Sequence, residues 1–255
     1  MEIIRALGTL AEAPGPEQIR AAQLLELPGE PTRAEFTDLF VVQLYPHASV
    51  YLNSDGQPAA QVGQPSDHLS ALLTFYAKLN DDDARRAFLW AQLISWVLPF
   101  AMRAQELGSP MYRAWATLLL DTLEGEASQL GNPLVLPTRL SDSHNIATLS
   151  VNETLVDGLF APVTSGVILT RADLSRCVSQ LQLPTRVAER RYTLREMMMQ
   201  EPVKVAGWLA AEARRQAGLW TRASATFDVV RAHWEMRALK TADTITEMTL
   251  KVHAQ

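Results

Sequence analysis

Cysteine is almost absent from this 255-residue sequence, which contains Cys177 and no other. Neither an intrachain disulfide nor a cysteine-based zinc site can therefore form. Cys177 has no histidine near it in the sequence and lies in a helical pattern, which is typical of an unreactive thiol in a protein core. A chain without disulfides also suits a reducing compartment.

The sequence has no basic leader and no long membrane-spanning run. It begins MEIIRALGTLAEAPGPE, with an acid at position 2 and no basic n-region ahead of an apolar run, so we expect no secretory signal. The most apolar segment, AFLWAQLISWVLPFAM at residues 87–102, is short for a membrane span and contains Gln92, Ser95 and Pro99. It predicts a buried central helix. We expect a cytoplasmic protein without stable membrane insertion.

An excess of positive charge is missing as well. The formal net charge is -5, so neither nucleic acid nor an anionic membrane is an expected partner. Four arginines at helical spacing could hold a phosphate or a carboxylate, although such runs are more often a solvated helix face. These are Arg186, Arg190, Arg191 and Arg195.

Motifs that mark common catalytic sites do not occur. The sequence has no phosphate loop, no dinucleotide-binding glycine motif, no nucleophile elbow and no HExxH helix. Its five histidines lie singly, without the spacing of three or four that two metal ligands on one helix require. They are His47, His68, His144, His233 and His253. We expect no metal, no cofactor and no enzymatic activity.

Helical periodicity dominates the sequence. Apolar residues recur at helical spacing over residues 32–44, 65–79, 88–102 and 110–123, and again beyond residue 171. Residues 131–158 are rich in Ser, Thr and Asn and predict a linker or long loop. The β-branched run LFAPVTSGVILT at residues 159–170 could be extended.

These patterns predict an all-α protein. Residues 1–130 would form a helical core, residues 131–158 an extended Ser/Thr-rich connection, and residues 159–255 a C-terminal helical part packed on the core as one domain. A long connection between helical halves would permit helix exchange between two chains, so both a monomer and a homodimer are compatible with the sequence.

The segment GQPSDHLSALLTFYAKL, residues 63–79, has two interpretations. Pro65 suits the first turn of a helix, and Asp67 could accept hydrogen bonds from its free amide groups, which would stabilise the helix by about 0.5–2 kcal/mol. His68 would then be a partly buried, hydrogen-bonded side chain. Alternatively, Asp67 and His68 form part of a binding site.

This segment resembles the Glu-Pro-x-Asp-His-Leu motif of the TorD/DmsD/NarJ family of redox enzyme maturation chaperones. The segments around it are also similar to that family: FTDLFVVQLYPHASVYLNSDG upstream, and LISWVLPFAMRAQELGSPMYRAWATLLLDTL downstream. The resemblance covers about residues 32–130, and residues 159–174 with the arginine-rich helix after them are similar to longer members.

The resemblance implies an all-helical TorD-like bundle in the cytoplasm that acts as a chaperone. Such a chaperone would bind the twin-arginine signal peptide, or another segment, of a molybdopterin-containing oxidoreductase during cofactor insertion and assembly. The positions that match the family's motifs, and that the resemblance implies for peptide binding, are Asp67, His68, Tyr45, Tyr51, Trp96 and Phe100.

The match with the family has three departures. Gln64 stands where the motif usually has an acid, and the proline after Trp96 is displaced to Pro99. Relatives usually have a helix between the glycine turn and the Asp-His pair, whereas here that interval holds only QPAAQVGQPS. A more open peptide groove, or a different client, is the expected consequence.

For the role that the resemblance implies, we assign Asp67 either to the mouth of an apolar groove, as an anion, or to the organisation of its loop. His68 would orient Asp67 by a hydrogen bond, and Trp96 and Phe100 would form an apolar wall. Two other functions remain open: a helical adaptor that does not bind leaders, and a hydrolase that handles nucleotides.

Overall fold

The structure, a computed structural model, describes residues 1–53, 67–133, 136–141 and 153–253. Every regular element in these ranges is a helix, and the β-type pairing among them is an isolated bridge between His47 and His68. The prediction of an all-α fold is therefore confirmed. The chain forms two compact units, unit 1 (residues 1–51, 58–141 and 223–230) and unit 2 (residues 52–57, 142–222 and 231–255).

Unit 1 contains the first nine α-helices. They are α1 (Glu2–Thr9), α2 (Pro16–Leu24), α3 (Arg33–Phe36), α4 (Ala48–Leu52), α5 (Leu69–Tyr76), α6 (Asp82–Phe88), α7 (Ser95–Leu107), α8 (Pro110–Leu130) and α9 (Thr138–Ser141). A π-helical stretch, Thr37–Gln43, continues α3, and a second, Leu89–Ile94, joins α6 to α7. A 3-10 turn at Ala225–Phe227 belongs to the same unit.

The predicted central helix lies in the core of unit 1. α6, the π-helical stretch and α7 form one continuous helical segment, Asp82–Leu107, in which 78% of the most apolar window is buried inside the protein. Within the described residues this is the segment whose length and composition would allow it to cross a membrane. Its burial is typical of a core helix in a folded unit.

An aromatic cluster fills the space between this segment and α8. The ring of Phe40 lies 5.1 Å from Tyr112, 5.5 Å from Trp115 and 6.2 Å from Phe100, measured between centroids. Trp115 also donates from Nε1 to the carbonyl of Leu7, 3.0 Å away, which ties α8 to α1. These rings form the centre of unit 1.

Unit 2 is built from the remaining helices. They are α10 (Glu153–Leu159), α11 (Pro162–Ser165), α12 (Arg171–Leu181), α13 (Arg190–Gln200), α14 (Pro202–Trp220) and α15 (Asp228–His253), the last of which begins in the final segment of unit 1. α12 starts with a capping box, in which Thr170 and Asp173 exchange hydrogen bonds between side chain and backbone.

The β-branched run at 159–170 is buried but forms no strand. It makes α11 and then non-helical backbone, and the side-chain amide of Gln216 bonds both the N–H (2.9 Å) and the carbonyl (3.1 Å) of Ile168. Trp220 Nε1 donates to the Gly166 carbonyl, and Thr241 Oγ1 donates to the Ser165 carbonyl. Side chains of α14 and α15 thus take the place of a neighbouring strand.

The predicted connection between the helical parts lies partly outside the described residues. Residues 142–152, which include His144, are not among them, and neither are residues 54–66, which include Gln64 and Pro65. At the edges of the predicted connection, residues 138–141 and 153–158 are helical.

Candidate functional site

The Asp67-His68 pair joins two segments of unit 1 that lie far apart in the sequence. The amide of Ala48 donates to the carbonyl of Asp67 at 3.0 Å, and the amide of Leu69 donates to the carbonyl of Pro46 at 2.8 Å. This antiparallel bridge holds the Tyr-Pro loop (residues 45–49) against the start of α5. The motif and the loop that the family resemblance singled out therefore form one structural junction.

The Asp67 carboxylate caps a helix other than its own. One oxygen accepts from the backbone N–H of Ser49, 3.0 Å away, and from the Ser49 hydroxyl, while the other lies 3.0 Å from Nδ1 of His47. Since Ser49 lies in the first turn of α4, the charge is placed at the positive end of that short helix. The prediction that Asp67 caps its own helix is wrong, because the cap of α5 is His68.

The hydrogen bonds to Asp67 determine its ionisation. Burial would raise the pKa of this carboxyl, but the hydrogen bonds from the Ser49 side chain, from His47 and from the Ser49 amide outweigh burial and lower the pKa below its ordinary value. Asp67 is therefore an anion at neutral pH, and about a quarter (26%) of its side chain remains exposed.

His68 forms the N-cap of α5. Its Nδ1 accepts from the backbone N–H of Ser70 at 3.3 Å and lies 2.9 Å from the Ser70 hydroxyl. An accepting Nδ1 carries no proton, so the neutral ring bears its proton on Nε2. The pKa of His68 is lowered, first by burial and then by the nearby His47, while Glu12 and Asp67 act in the opposite direction.

The residue that orients Asp67 is His47 and not His68. The predicted hydrogen bond from His68 to Asp67 is therefore replaced by the one from His47, twenty positions earlier in the chain. The two imidazole rings lie edge to face with their centroids 4.9 Å apart, and a third of the His47 side chain (33%) is exposed. In the sequence, the role of His47 could have been inferred from its position directly after Tyr45-Pro46.

Three of the predicted peptide-binding residues are enclosed in the core. Tyr51, Trp96 and Phe100 are at most 1% exposed. The Tyr51 ring stacks on Trp96 at 5.3 Å, and Phe100 lies 5.7 Å from Tyr51 and 5.5 Å from Trp96. In this conformation they cannot form the wall of an open groove, so that part of the prediction is corrected: they pack against one another in the core of unit 1.

The surface of the junction consists of partly exposed polar groups. His47, Asp67 and His68 lie there, and Tyr45, at the start of the Tyr-Pro loop, is half-buried. The arrangement presents an ionised carboxylate whose orientation is fixed by three hydrogen bonds. Because this group is already ordered, it can accept a further hydrogen bond from a cationic donor without an additional loss of conformational entropy.

The described side chains of the junction do not form a metal-binding group. Across the described ranges, no group of three or more His, Cys, Asp or Glu side chains has the geometry to hold a metal ion. The tautomers also oppose a shared ion, because the hydrogen bond to Ser70 leaves the proton of neutral His68 on Nε2, the nitrogen that would have to coordinate.

Cys177 is fully buried in α12, where burial raises the pKa of its thiol to about 12. We expect a thiol reagent at pH 8 to leave the native protein unmodified and to label one thiol per chain in denaturant, since the thiolate is the reactive form. Absorbance of the released chromophore over time measures both reactions. Rapid labelling of the native protein would contradict this placement of Cys177.

Comparisons with protein-family models, with curated proteins and with solved structures found no match to this chain. The candidate site is therefore defined by its own geometry and by the motif in the sequence.

Proposed function

We propose that the protein is a cytoplasmic chaperone of the TorD type. It would bind the twin-arginine signal peptide, or another segment, of a molybdopterin-containing oxidoreductase while the cofactor is inserted, and it would turn over no substrate. One observation supports this function above the others: the Asp-His motif and the Tyr-Pro loop, which resemble that family separately in the sequence, bond directly to each other.

The geometry suits recognition of a cation at the edge of the junction. Asp67 is ionised, is held by Ser49 and His47, and stays partly exposed. A guanidinium can reach its exposed edge, where partial burial makes the ion pair stronger than it would be in bulk water. The carboxylate thus has two roles, because it organises the Tyr-Pro loop and offers charge to the client.

A flexible leader loses conformational freedom when it binds. The ordering cost of such segments is on the order of 2–5 kcal/mol, so the expected affinity is moderate and the complex is reversible. Reversibility is what a chaperone needs in order to release its client after assembly.

Replacing Asp67 by alanine should weaken binding of a fluorescent twin-arginine leader peptide about tenfold, because both the charge and the loop's anchor are lost. His47→Ala should weaken binding less, since the charge remains but is no longer oriented. Fluorescence anisotropy measures the dissociation constants, and circular dichroism checks that helical content is retained.

The exposed Asp83 provides a matched control, because Asp83→Ala removes an acid from unit 1 at a distance in sequence from the motif. Binding that is unchanged in the Asp67 variant, or that falls equally in the Asp83 variant, would remove the assigned role of Asp67. Affinity capture of the tagged protein from its host tests the function itself: recovery of no molybdopterin oxidoreductase subunit, from cells that express such enzymes, would refute it.

A further inference from the structure

The cap that His68 provides for α5 depends on the ionisation of its ring. Nδ1 accepts from the backbone N–H of Ser70, and the Ser70 hydroxyl lies 2.9 Å from the same nitrogen. A proton on Nδ1 would change that nitrogen from an acceptor into a donor. The Ser70 hydroxyl can turn to accept from it, but the Ser70 amide would lose its capping partner. This cap therefore requires the neutral form of His68.

His47 responds to a proton in the opposite way. Asp67 is ionised, so the 3.0 Å contact between its carboxylate and Nδ1 of His47 requires a proton on that nitrogen. A second proton on His47 goes to Nε2 and leaves the hydrogen bond to Asp67 in place. The two imidazoles, whose centroids are 4.9 Å apart, thus differ: protonation preserves the contact of His47 and breaks that of His68.

The groups that face His68 decide which form of its ring the junction favours. Among the residues that the structure describes, these are His47 from the Tyr-Pro loop, Glu12 after α1, and Asp67. The π-helical stretch Leu89–Ile94, which also packs against α5, contains no charged side chain. Burial and then His47 lower the pKa of His68 below its ordinary value of 6.5, and they outweigh the two carboxylates. The folded junction therefore favours the neutral ring.

The backbone on either side of His68 carries the bridge to the Tyr-Pro loop. The carbonyl of Asp67 accepts from that loop, and the amide of Leu69 donates to it. Displacing His68 from its cap position would pull on both hydrogen bonds, because they flank it directly. A change at this ring is therefore transmitted to the loop.

We infer that the junction is a pH-sensitive switch, in which uptake of a proton by His68 in mild acid releases the first turn of α5 and loosens the Tyr-Pro loop. The neutral ring keeps the junction closed. Loosening would also reposition the Asp67 carboxylate, because its partners His47 and Ser49 belong to that loop. The switch is a property of the folded junction and does not require the function proposed above.

The ionisations at the junction define the pH range of the switch. Because the pKa of His68 is lowered, the stabilisation from its neutral ring is fully present above pH 6.5 and is lost as the pH falls from there through the folded-state pKa. The pKa of Asp67 is also lowered, so its contribution is lost only as the pH falls below 3.8. His233 in unit 2, whose pKa burial lowers to about 4, affects unit 2 over the same range as His68, so the measurement has to be local.

Hydrogen exchange with mass spectrometry on the full chain, at about pH 5 and about pH 7.5 and corrected for intrinsic exchange rates, measures the switch locally. Protection of Leu69–Tyr76 should be about fivefold lower at pH 5, the usual effect of losing one helix cap, and protection of residues 45–52 should fall with it. Helix α8, which contains no histidine, should keep its protection.

His68→Asn is the matched variant, because an asparagine side chain also caps a helix but takes up no proton in this range. It should keep the protection of α5 at pH 7.5 and remove most of the difference between the two pH values. His47→Gln should retain that difference, since glutamine can still donate to Asp67 while His68 still titrates. The Cε1 proton resonance that His68→Asn removes from the NMR spectrum belongs to His68, and its titration midpoint should lie below pH 6.5.

Equal protection of α5 at both pH values in the native chain would overturn the inference, as would a titration midpoint of His68 above pH 6.5. A pH difference that persists in His68→Asn and disappears in His47→Gln would contradict it as well, because His47 would then be the group that titrates. If His68→Asn did not fold, His68→Ser, with another side chain that caps helices and does not titrate, takes its place.

Discussion

Replacing Gly166 by alanine is expected to destabilise unit 2 by about 3–5 kcal/mol, the largest effect that we expect from any single methyl group in the chain. Gly166 has a φ of +70°, in the left-handed region. A Cβ at this position would lie 2.3 Å from the backbone nitrogen of Ala238 and 2.6 Å from Cβ of Arg237. The contact is with the backbone of α15, which cannot rotate away.

The loss would spread beyond the glycine because its neighbours are tied to other helices. The Gly166 carbonyl accepts from Trp220, and the Ser165 carbonyl accepts from Thr241. Moving the segment by the distance that a methyl group needs would break both hydrogen bonds, each of which is buried. Removing one partner of a buried hydrogen bond costs about 1–3 kcal/mol.

Urea denaturation followed by circular dichroism measures the loss, and hydrogen exchange with mass spectrometry locates it in unit 2. Gly207→Ala in α14 is the matched control: apart from its chain neighbours and the backbone of its own helix, no atom lies within 4 Å of the added methyl, so stability should stay level or rise slightly. Gly29→Ala tests φ alone, since Gly29 has a φ of +100° in open surroundings, and should cost about 1 kcal/mol. Equal losses in all three variants would contradict the clash.

Replacing Phe100 by alanine should cost unit 1 about 3–5 kcal/mol, because a fully buried ring would leave a cavity among four other rings. Those rings are Phe40, Tyr51, Trp96 and Trp115. Since Tyr51 lies two residues after the Tyr-Pro loop that Asp67 anchors, repacking here would also disturb the candidate site. Thermal unfolding and urea denaturation measure the effect.

Phe75→Ala is the control for aromatic area at the surface. Phe75 is 44% exposed and its ring centroid lies 5.0 Å from that of Phe88, so its removal should cost less than about 1 kcal/mol. Phe100→Leu should recover most of the stability, as apolar volume is restored. If Phe100→Ala left stability unchanged but abolished peptide binding, the ring would act at a surface, contrary to the enclosure seen here.

Local signals in the sequence were sufficient for most of the helices. Leu69, Leu72, Leu73 and Tyr76 form the buried face that their spacing predicts. Thr32 and Glu35 make a capping box directly after Pro31, where helix α3 was expected to begin. In both places the periodicity and the cap agree, so little depends on the rest of the chain.

The connections at the candidate site could not be derived in the same way. Asp67 had a plausible local role at its own helix, and nothing nearby in the sequence indicates that it bonds His47 and Ser49 instead. That choice depends on tertiary packing, which brings α4 to the start of α5. Likewise, the burial of Trp96 and Phe100 follows from the packing of α7 along α8 and not from their spacing.

The run at 159–170 shows the same limit for backbone structure. Its β-branched residues favour a strand, and they are buried as such residues usually are. A strand requires a partner strand for its hydrogen bonds, and the described residues around it are helical. Instead, the side-chain amide of Gln216 in α14 bonds the backbone N–H and carbonyl of Ile168. A pattern of apolar residues in the sequence does not predict these hydrogen bonds.

Unit 1 consists of segments that are not contiguous in the sequence, and this affects how it forms during synthesis on the ribosome. Glu124 of α8 accepts from the side chains of Ser224 and Thr226, and the Trp90 ring meets Phe227. These late residues are translated only after the roughly 80 residues that follow Ser141, which takes about 4 to 16 s at about 5–20 residues per second. During that interval the nascent chain carries the Asp67 junction on a unit that still lacks its last segment, so unit 1 is complete only after residue 230 has been translated.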